Sequence, residues 1–267
     1  MSRATGSRRP LPLETTIVYG PIVSRRLGRS LGLNLLPIRA KVCSFDCVYC
    51  HYGDTDVKVS KPALGDAQDI GYPALGDVVK AVEGALRTWG AVDSLTFSGN
   101  GEPTLCPFFA EIAFEVRRLR DRTCPGARIT LFSNATTLIH PGVQAALQHI
   151  DRPILKLDAG DALTFEQVNR PARGIDFGGV VETLRRIQDL TLQTVLIDGP
   201  VTNASGDAFE AWLRTVAELK PKLVQIYSTD YPVPDATVQR VPAFRLRELA
   251  GIARHRIGAQ VQAFWPA

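Results

Sequence analysis

One rhythm constrains the fold more than any other feature of this chain. Short apolar or β-branched runs, at residues 94–97, 128–132, 154–157, 194–197, 223–227 and 260–264, alternate with longer helix-like stretches at 75–88, 108–120, 142–149, 179–190, 208–219 and 245–255. Within one stretch, Phe109, Ile112, Ala113, Val116 and Leu119 recur at the helical period and form a stripe, with the charges on the other side. Strands alternating with helices imply right-handed crossovers and a parallel sheet. The fold class expected is therefore α/β, as a partial, open (β/α)6-type barrel of parallel strands. A full eight-unit barrel does not fit in 267 residues, because residues up to about 60 show no such rhythm and are assigned to something else.

In parallel α/β folds the chemistry gathers at the C-terminal ends of the strands. Four of the runs lead into polar or glycine-containing ends: Ser98 to Pro103, Ser133 to Thr136, Asp158 to Gly160, and Asp198 to Pro200. They are expected to share one rim. Lys156 and Asp158 alternate with Leu155 and Leu157, so both should face the barrel interior, bound to something polar or paired with each other.

Three of the five cysteines, Cys43, Cys47 and Cys50, crowd into eight residues in a C-x3-C-x2-C pattern. A secreted disulfide framework spreads its cysteines and pairs them evenly; this spacing suits a reducing compartment and a metal. With no secretory signal and no membrane-length apolar stretch in the sequence, the expected location is the cytoplasm. Three thiolates on one loop fit a [4Fe–4S] cubane with one iron left open. That iron can take a chelate such as the amino and carboxylate groups of S-adenosylmethionine (SAM), whose sulfonium one electron can then cleave. The competing readings are a zinc site, for which His51 beside Cys50 is a poorly placed fourth ligand, and three unconnected thiols. Tyr49, just before the last cysteine, is placed to lie against an adenine.

Here the sequence resembles the radical SAM superfamily, over about residues 17–230. Tyr19, Gly20 and Pro21, the run from Ser24 to Gly28 with Arg25 and Arg26, the run from Ser30 to Gly32, the cysteine loop, the run from Phe97 to Leu105, and Asn169, Arg170 and Pro171 resemble the iron–sulfur oxidoreductases grouped loosely with wyosine-forming tRNA enzymes. The resemblance implies a radical SAM domain over residues 13–267, with its cluster loop at 43–50 and a helix–strand extension at about 240–267. Residues 1–12 are expected as a disordered basic tail. Gly99, Asn100, Gly101 and Glu102 resemble the superfamily's GGE motif, with Asn100 as a departure. Their glycines would let the backbone approach SAM, and the Glu102 carboxylate would meet its ammonium. Ser133 and Asn134 suit ribose hydroxyls or the SAM carboxylate, or else cap the following helix. Lys156, Asp158 and Tyr227 complete the expected cofactor site.

Cys106 and Cys124 are left over, as buried free thiols or, for Cys106, near the site. Arg25, Arg26, Arg29, Arg39 and Lys41 precede the cluster loop as a basic lip; Arg25 and Arg26 are the candidates for binding substrate. With a net charge of +4, the substrate expected is an anionic small molecule or, by resemblance, a tRNA. The reaction expected is reductive cleavage of SAM to methionine and a 5′-deoxyadenosyl radical that abstracts hydrogen, fed by a flavodoxin- or ferredoxin-like donor. Two alternatives stand beside it: transfer of an aminocarboxypropyl or other group by the same cluster, and a non-catalytic iron–sulfur protein for electron transfer or binding.

Overall fold

A computed structural model of the chain describes residues 11–62, 71–230, 233 and 235–265. The basic tail expected at 1–12 lies, up to residue 10, outside the described residues.

The central sheet has eight strands in the order β1 (Val18–Ser24), β2 (Gly28–Leu33), β5 (Ser94–Phe97), β6 (Arg128–Ser133), β7 (Arg152–Lys156), β8 (Thr191–Val195), β10 (Leu223–Tyr227) and β12 (Gln260–Phe264). From β2 to β12 every pairing is parallel, and β1 is antiparallel to β2 at one edge. The two edge strands do not pair with each other, so the barrel is open. Short pairs lie outside this sheet: β3 (Val42–Cys43) with β4 (Val57–Lys58), and β9 (Ile197–Asp198) with β11 (Gln239–Arg240).

Crossovers between successive parallel strands carry α1 (Leu75–Trp89), α2 (Phe109–Thr123), α3 (Pro141–Ala146), the pair α4 (Ala162–Asn169) and α5 (Phe177–Arg185), α6 (Gly206–Leu219) and α7 (Ala243–Ile257). The α2 stripe is buried as its spacing predicts: Phe109, Ile112, Ala113, Val116 and Leu119 all enter the core. On α1, Val78, Val82 and Leu86 do the same at four-residue intervals, and the helix stops at Gly90, whose φ of 63° favours glycine.

The strands alternate strictly between two environments. Leu31, Leu33, Leu95, Phe97, Ile129, Leu131, Leu155, Leu192, Val224 and Ile226 join the helices in the main core. The other face is polar. Ser30, Thr96, Ser94 and Thr130 form a chain of hydroxyl bonds of 2.8–2.9 Å across β2, β5 and β6. Gln193, Gln225 and Tyr227 continue it across β8 and β10. A polar concave face beneath an apolar convex one leaves an interior suited to polar ligands.

Two expectations are corrected. Residues before 60 are not outside the sheet: β2 is its first parallel strand and β1 its antiparallel edge. Their Gly and Ser content hides the β-branched signal that marks the other strands. The run at 194–197 is not one strand either. It divides into the end of β8 and the start of β9, and the Asp198 to Pro200 end turns to pair with β11, away from the shared rim.

Candidate active site

The loop from Cys43 to Cys50 begins at β3, outside the central sheet, and is pinned on two sides. Against the Gly99 to Glu102 turn, the Val42 N–H donates to the Asn100 carbonyl at 2.9 Å and the Glu102 N–H donates to the Val42 carbonyl at 3.0 Å. Gly101 has to be glycine here: its φ is 133°, and a Cβ would stand 1.8 Å from the Val42 carbonyl oxygen. Against the C-terminal end of α4, the N–H groups of Asp46 and Val48 donate to the carbonyls of Asn169 and Val168, and the Ala172 N–H donates to the Ser44 carbonyl, at 2.8–3.0 Å.

Held this way, Cys43, Cys47 and Cys50 are half-buried free thiols on the wall of one cavity of about 430 Å³. Burial pushes the Cys43 thiol well up and the Cys47 thiol up to about 11, with nearby Asp158 adding to the shift at Cys47. The amide of Asn134 donates to the Cys43 sulfur at 3.8 Å and that of Asn169 to the Cys47 sulfur at 3.4 Å. Lys41, 2% exposed, lies beside the three cysteines and donates from Nζ to the Gly53 carbonyl. Burial works against its charge, but the neighbouring cysteines outweigh that and raise its pKa.

Among the described residues, no three His, Cys, Asp or Glu side chains converge as a single-ion site. A cubane is wider than an ion and takes its thiolates from a loop wrapped round it. The donor set fits that group: three soft sulfurs facing one cavity, with amide N–H donors directed at two of them.

Glu102 lines the same cavity and is buried. One carboxylate oxygen accepts from the Thr104 N–H and hydroxyl, the other from the Asn134 N–H at 2.7 Å. Burial nonetheless raises its pKa. Gly99, Ser133 and Asn134 line the cavity, but Asn134 and Ser133 do not cap a helix; their side chains brace the left-handed Ala135 turn through Thr136 and the Ala135 N–H. Asn100 faces away and spends its side chain on Glu14 and the Pro37 carbonyl.

Behind Tyr49 and Lys156, which line the cavity, Asp158 is buried and fully satisfied. It accepts from the Tyr49 hydroxyl, from Asn169 at 2.9 Å and from the Val195 N–H at 2.8 Å, and pairs with Lys156 at 3.3 Å. The pair that alternation placed inside is therefore there, and each partner is the other's counter-charge. The Lys156 ammonium also lies 5.0 Å from the Tyr49 ring and 5.6 Å from the Tyr227 ring. Tyr227 donates to Gln193.

The basic lip breaks up. Arg25 is exposed and pairs with Asp230; the Arg29 guanidinium donates to the Ala91 carbonyl and its backbone N–H to Asp93; Arg39 is exposed. Only Arg26 and Lys41 reach the cavity. Cys106 and Cys124 are buried in the main core, and neither lines the cavity. Asn169 enters the sequence reading only as part of a resemblance; its contact with Cys47 depends on α4 docking against the cluster loop.

The Radical SAM superfamily profile matches residues 38–202. The chain belongs to the radical SAM superfamily. It is therefore an enzyme of a group that binds a [4Fe–4S] cluster and SAM and uses them for radical chemistry. It is 31% identical to a UPF0026 protein of Synechocystis sp. over 81% of this chain and 77% of that one, and 32% identical to a UPF0026 protein of Helicobacter pylori over 68% and 57%. It is also 30% identical to a Brachyspira hyodysenteriae protein named GTPase Obg, over 80% of this chain but only 30% of that protein's length. Thus the chain spans less than two thirds of some of the relatives it matches. Among solved structures, Streptococcus suis SuiB bound to its precursor peptide SuiA aligns with a TM-score of 0.62 at 14% identity, over 88% of this chain and 48% of that one. The radical SAM enzyme anSMEcpe with bound SAM aligns at 0.61 and 17%, over 88% and 63%; TYW1 with a lysine–pyruvate adduct aligns at 0.53 and 14%, over 85% and 73%. These likenesses concern the fold. Among the described residues, no helix is long and apolar enough to cross a membrane.

Proposed function

We propose that Cys43, Cys47 and Cys50 hold the cluster, that the cavity beside them binds SAM, and that the enzyme abstracts hydrogen from an anionic substrate. The observation that carries this reading is the convergence of three half-buried thiols, the Glu102 turn and the Tyr49–Asp158–Lys156 group on one 430 Å³ cavity. When bound, the cofactors supply one chemistry: an electron from a reducing partner splits SAM into methionine and a 5′-deoxyadenosyl radical, which takes a hydrogen atom from the substrate and leaves a substrate radical.

The chain's own residues bind, orient and shield. Glu102 and the backbone of the Gly99 turn offer acceptors for an ammonium, as a carboxylate with spare lone pairs does. Ser133 offers a hydroxyl beside it. Tyr49, fixed by its bond to Asp158, presents one ring at the cavity, and Tyr227 presents a second; both suit an adenine. Lys156, neutralised by Asp158, keeps a donor in the wall without adding net charge. The recessed cavity limits the access of bulk water to a reactive species.

Iron and sulfide content of anaerobically reconstituted protein tests the ligand assignment. Replacing any one of Cys43, Cys47 and Cys50 by Ala should abolish the cluster, while Cys106→Ala and Cys124→Ala should retain it. Full loading of Cys47→Ala would sink the assignment.

A further inference from the structure

Arg26 stands in the turn between β1 and β2, and its side chain reaches into the cavity that holds the cysteines. Its guanidinium carbon lies 4.5 Å from the Tyr227 ring centroid, 5.7 Å from Phe132 and 5.8 Å from Phe264. Those rings belong to β10, β12 and, beyond β7 and β8, β6, so distant strands of the open sheet meet at one side chain.

The Nη1 group of Arg26 is fully buried and has no hydrogen-bond partner among the described residues. The other two cations of this wall are provided for, Lys156 by Asp158 and Lys41 by the Gly53 carbonyl. Asp230, the carboxylate partner of the neighbouring Arg25, is already engaged: it pairs with Arg25 at 2.5 Å and with Arg240 at 2.8 Å. A buried guanidinium N–H group without a hydrogen bond is costly. Contact with aromatic faces recovers part of that cost but leaves the Nη1 donors unmet. Yet the rings flank the planar guanidinium while its Nη1 stays out of water, an arrangement suited to binding an anion bidentately.

We propose that Arg26 is the anchor of an anion subsite for the substrate, taking a carboxylate or phosphate group against the shelf of Tyr227, Phe132 and Phe264. The proposal deepens, and rests on, the reading of this cavity as the place where SAM and substrate meet. It separates Arg26 from Arg25, which the surface ion pair with Asp230 keeps out of the site. SAM also carries a carboxylate, and the test distinguishes the two sources.

The experiment uses reconstituted holo-protein as wild type, Arg26→Met and Arg26→Lys. Each is titrated by calorimetry with inorganic phosphate and with acetate, and separately with SAM and with decarboxylated SAM; thermal midpoints are read without added anion. Wild type should bind at least one of the two anions saturably. Arg26→Met should lose at least tenfold in that affinity, keep its cluster and its affinity for SAM, and melt no lower than wild type, because it removes an unmet donor from an aromatic pocket. Arg26→Lys should fall between, since it keeps the charge but not the fork. Three results would overturn the proposal: no saturable anion binding by wild type; anion binding unchanged in Arg26→Met; or a loss of SAM affinity in Arg26→Met that disappears with decarboxylated SAM, which would assign the guanidinium to SAM itself. If Arg26→Met does not fold, Arg26→Lys with anion affinity equal to wild type would overturn the bidentate anchor. Failure of loaded wild type to bind SAM would count against the functional reading, while the phosphate and acetate titrations would still judge the anion site.

Discussion

The side-chain amide of Asn169 donates to the Cys47 sulfur at 3.4 Å, and its other N–H is directed to Asp158 at 2.9 Å. The carboxylate fixes which way the amide faces, since a flipped amide would set its oxygen against Asp158. One residue at the end of α4 thus joins the proposed cluster loop to the buried carboxylate that also holds Tyr49 and Lys156.

Asn169 should therefore act as a positioning residue for Cys47. Hydrogen bonds to cluster sulfurs raise reduction potential, so Asn169→Ala should make the reconstituted cluster harder to reduce, with a lower midpoint in a titration followed by electron paramagnetic resonance. Asp158 also loses a donor, which costs about 1–3 kcal/mol of stability. Asn169→Gln should restore part of both. An unchanged midpoint in Asn169→Ala would show that the amide merely fills space.

Glu102 has two jobs in this structure, and two variants separate them. Glu102→Ala leaves the N–H groups of Asn134 and Thr104 without their acceptor and should destabilise the fold by at least about 1–3 kcal/mol. Glu102→Gln keeps the shape and one of the two acceptor oxygens, sets an NH2 against the other N–H donor at a smaller cost than Ala, and removes the charge. It should fold and load its cluster, yet bind SAM roughly ten- to a hundredfold more weakly, as loss of a charge-assisted hydrogen bond requires. Equal SAM affinity in Glu102→Gln would make the turn purely structural.

The acid side of the stability profile should depend on Asp151. It pairs with buried Arg120 at 2.6 Å and accepts from the Ile129 N–H at 2.8 Å. Burial alone would raise its pKa, but Arg120 and that N–H outweigh it and hold the carboxyl below the usual range. The stabilisation is present above the ordinary carboxylate value of about 3.9 and is lost as pH falls through the lowered folded value. Asp151→Asn should lower denaturant stability by about 3 kcal/mol at pH 7 and flatten the fall below about pH 4. Stability within about 0.5 kcal/mol of wild type would contradict this role.

Much of this architecture is legible in the sequence, for identifiable reasons. The runs at 94–97, 223–227 and 260–264 coincide with β5, β10 and β12, because their side chains alternate cleanly between core and interior. The same period places Lys156 and Asp158 inside. The β1–β2 hairpin is hidden, since Gly28, Ser30 and Gly32 carry no β-branched signal. Arg25 and Arg26 are chemically identical neighbours, and only the turn between β1 and β2 sends one to Asp230 and the other into the cavity. Asn169 lies on an eight-residue helix with a weak apolar pattern, so its contact with Cys47, 122 residues away in sequence, follows from docking alone.

The central claim is that this cavity cleaves SAM reductively, and product analysis tests it most directly. Reconstituted protein is incubated anaerobically with SAM and a strong reductant, and products are separated by chromatography with mass detection. The account predicts 5′-deoxyadenosine and methionine from wild type, and neither from the Cys43, Cys47 or Cys50 variants. Methylthioadenosine as the main enzymatic product, with no 5′-deoxyadenosine, would contradict it in favour of aminocarboxypropyl transfer; a fully loaded cluster that neither binds SAM nor yields any product would contradict it in favour of electron transfer.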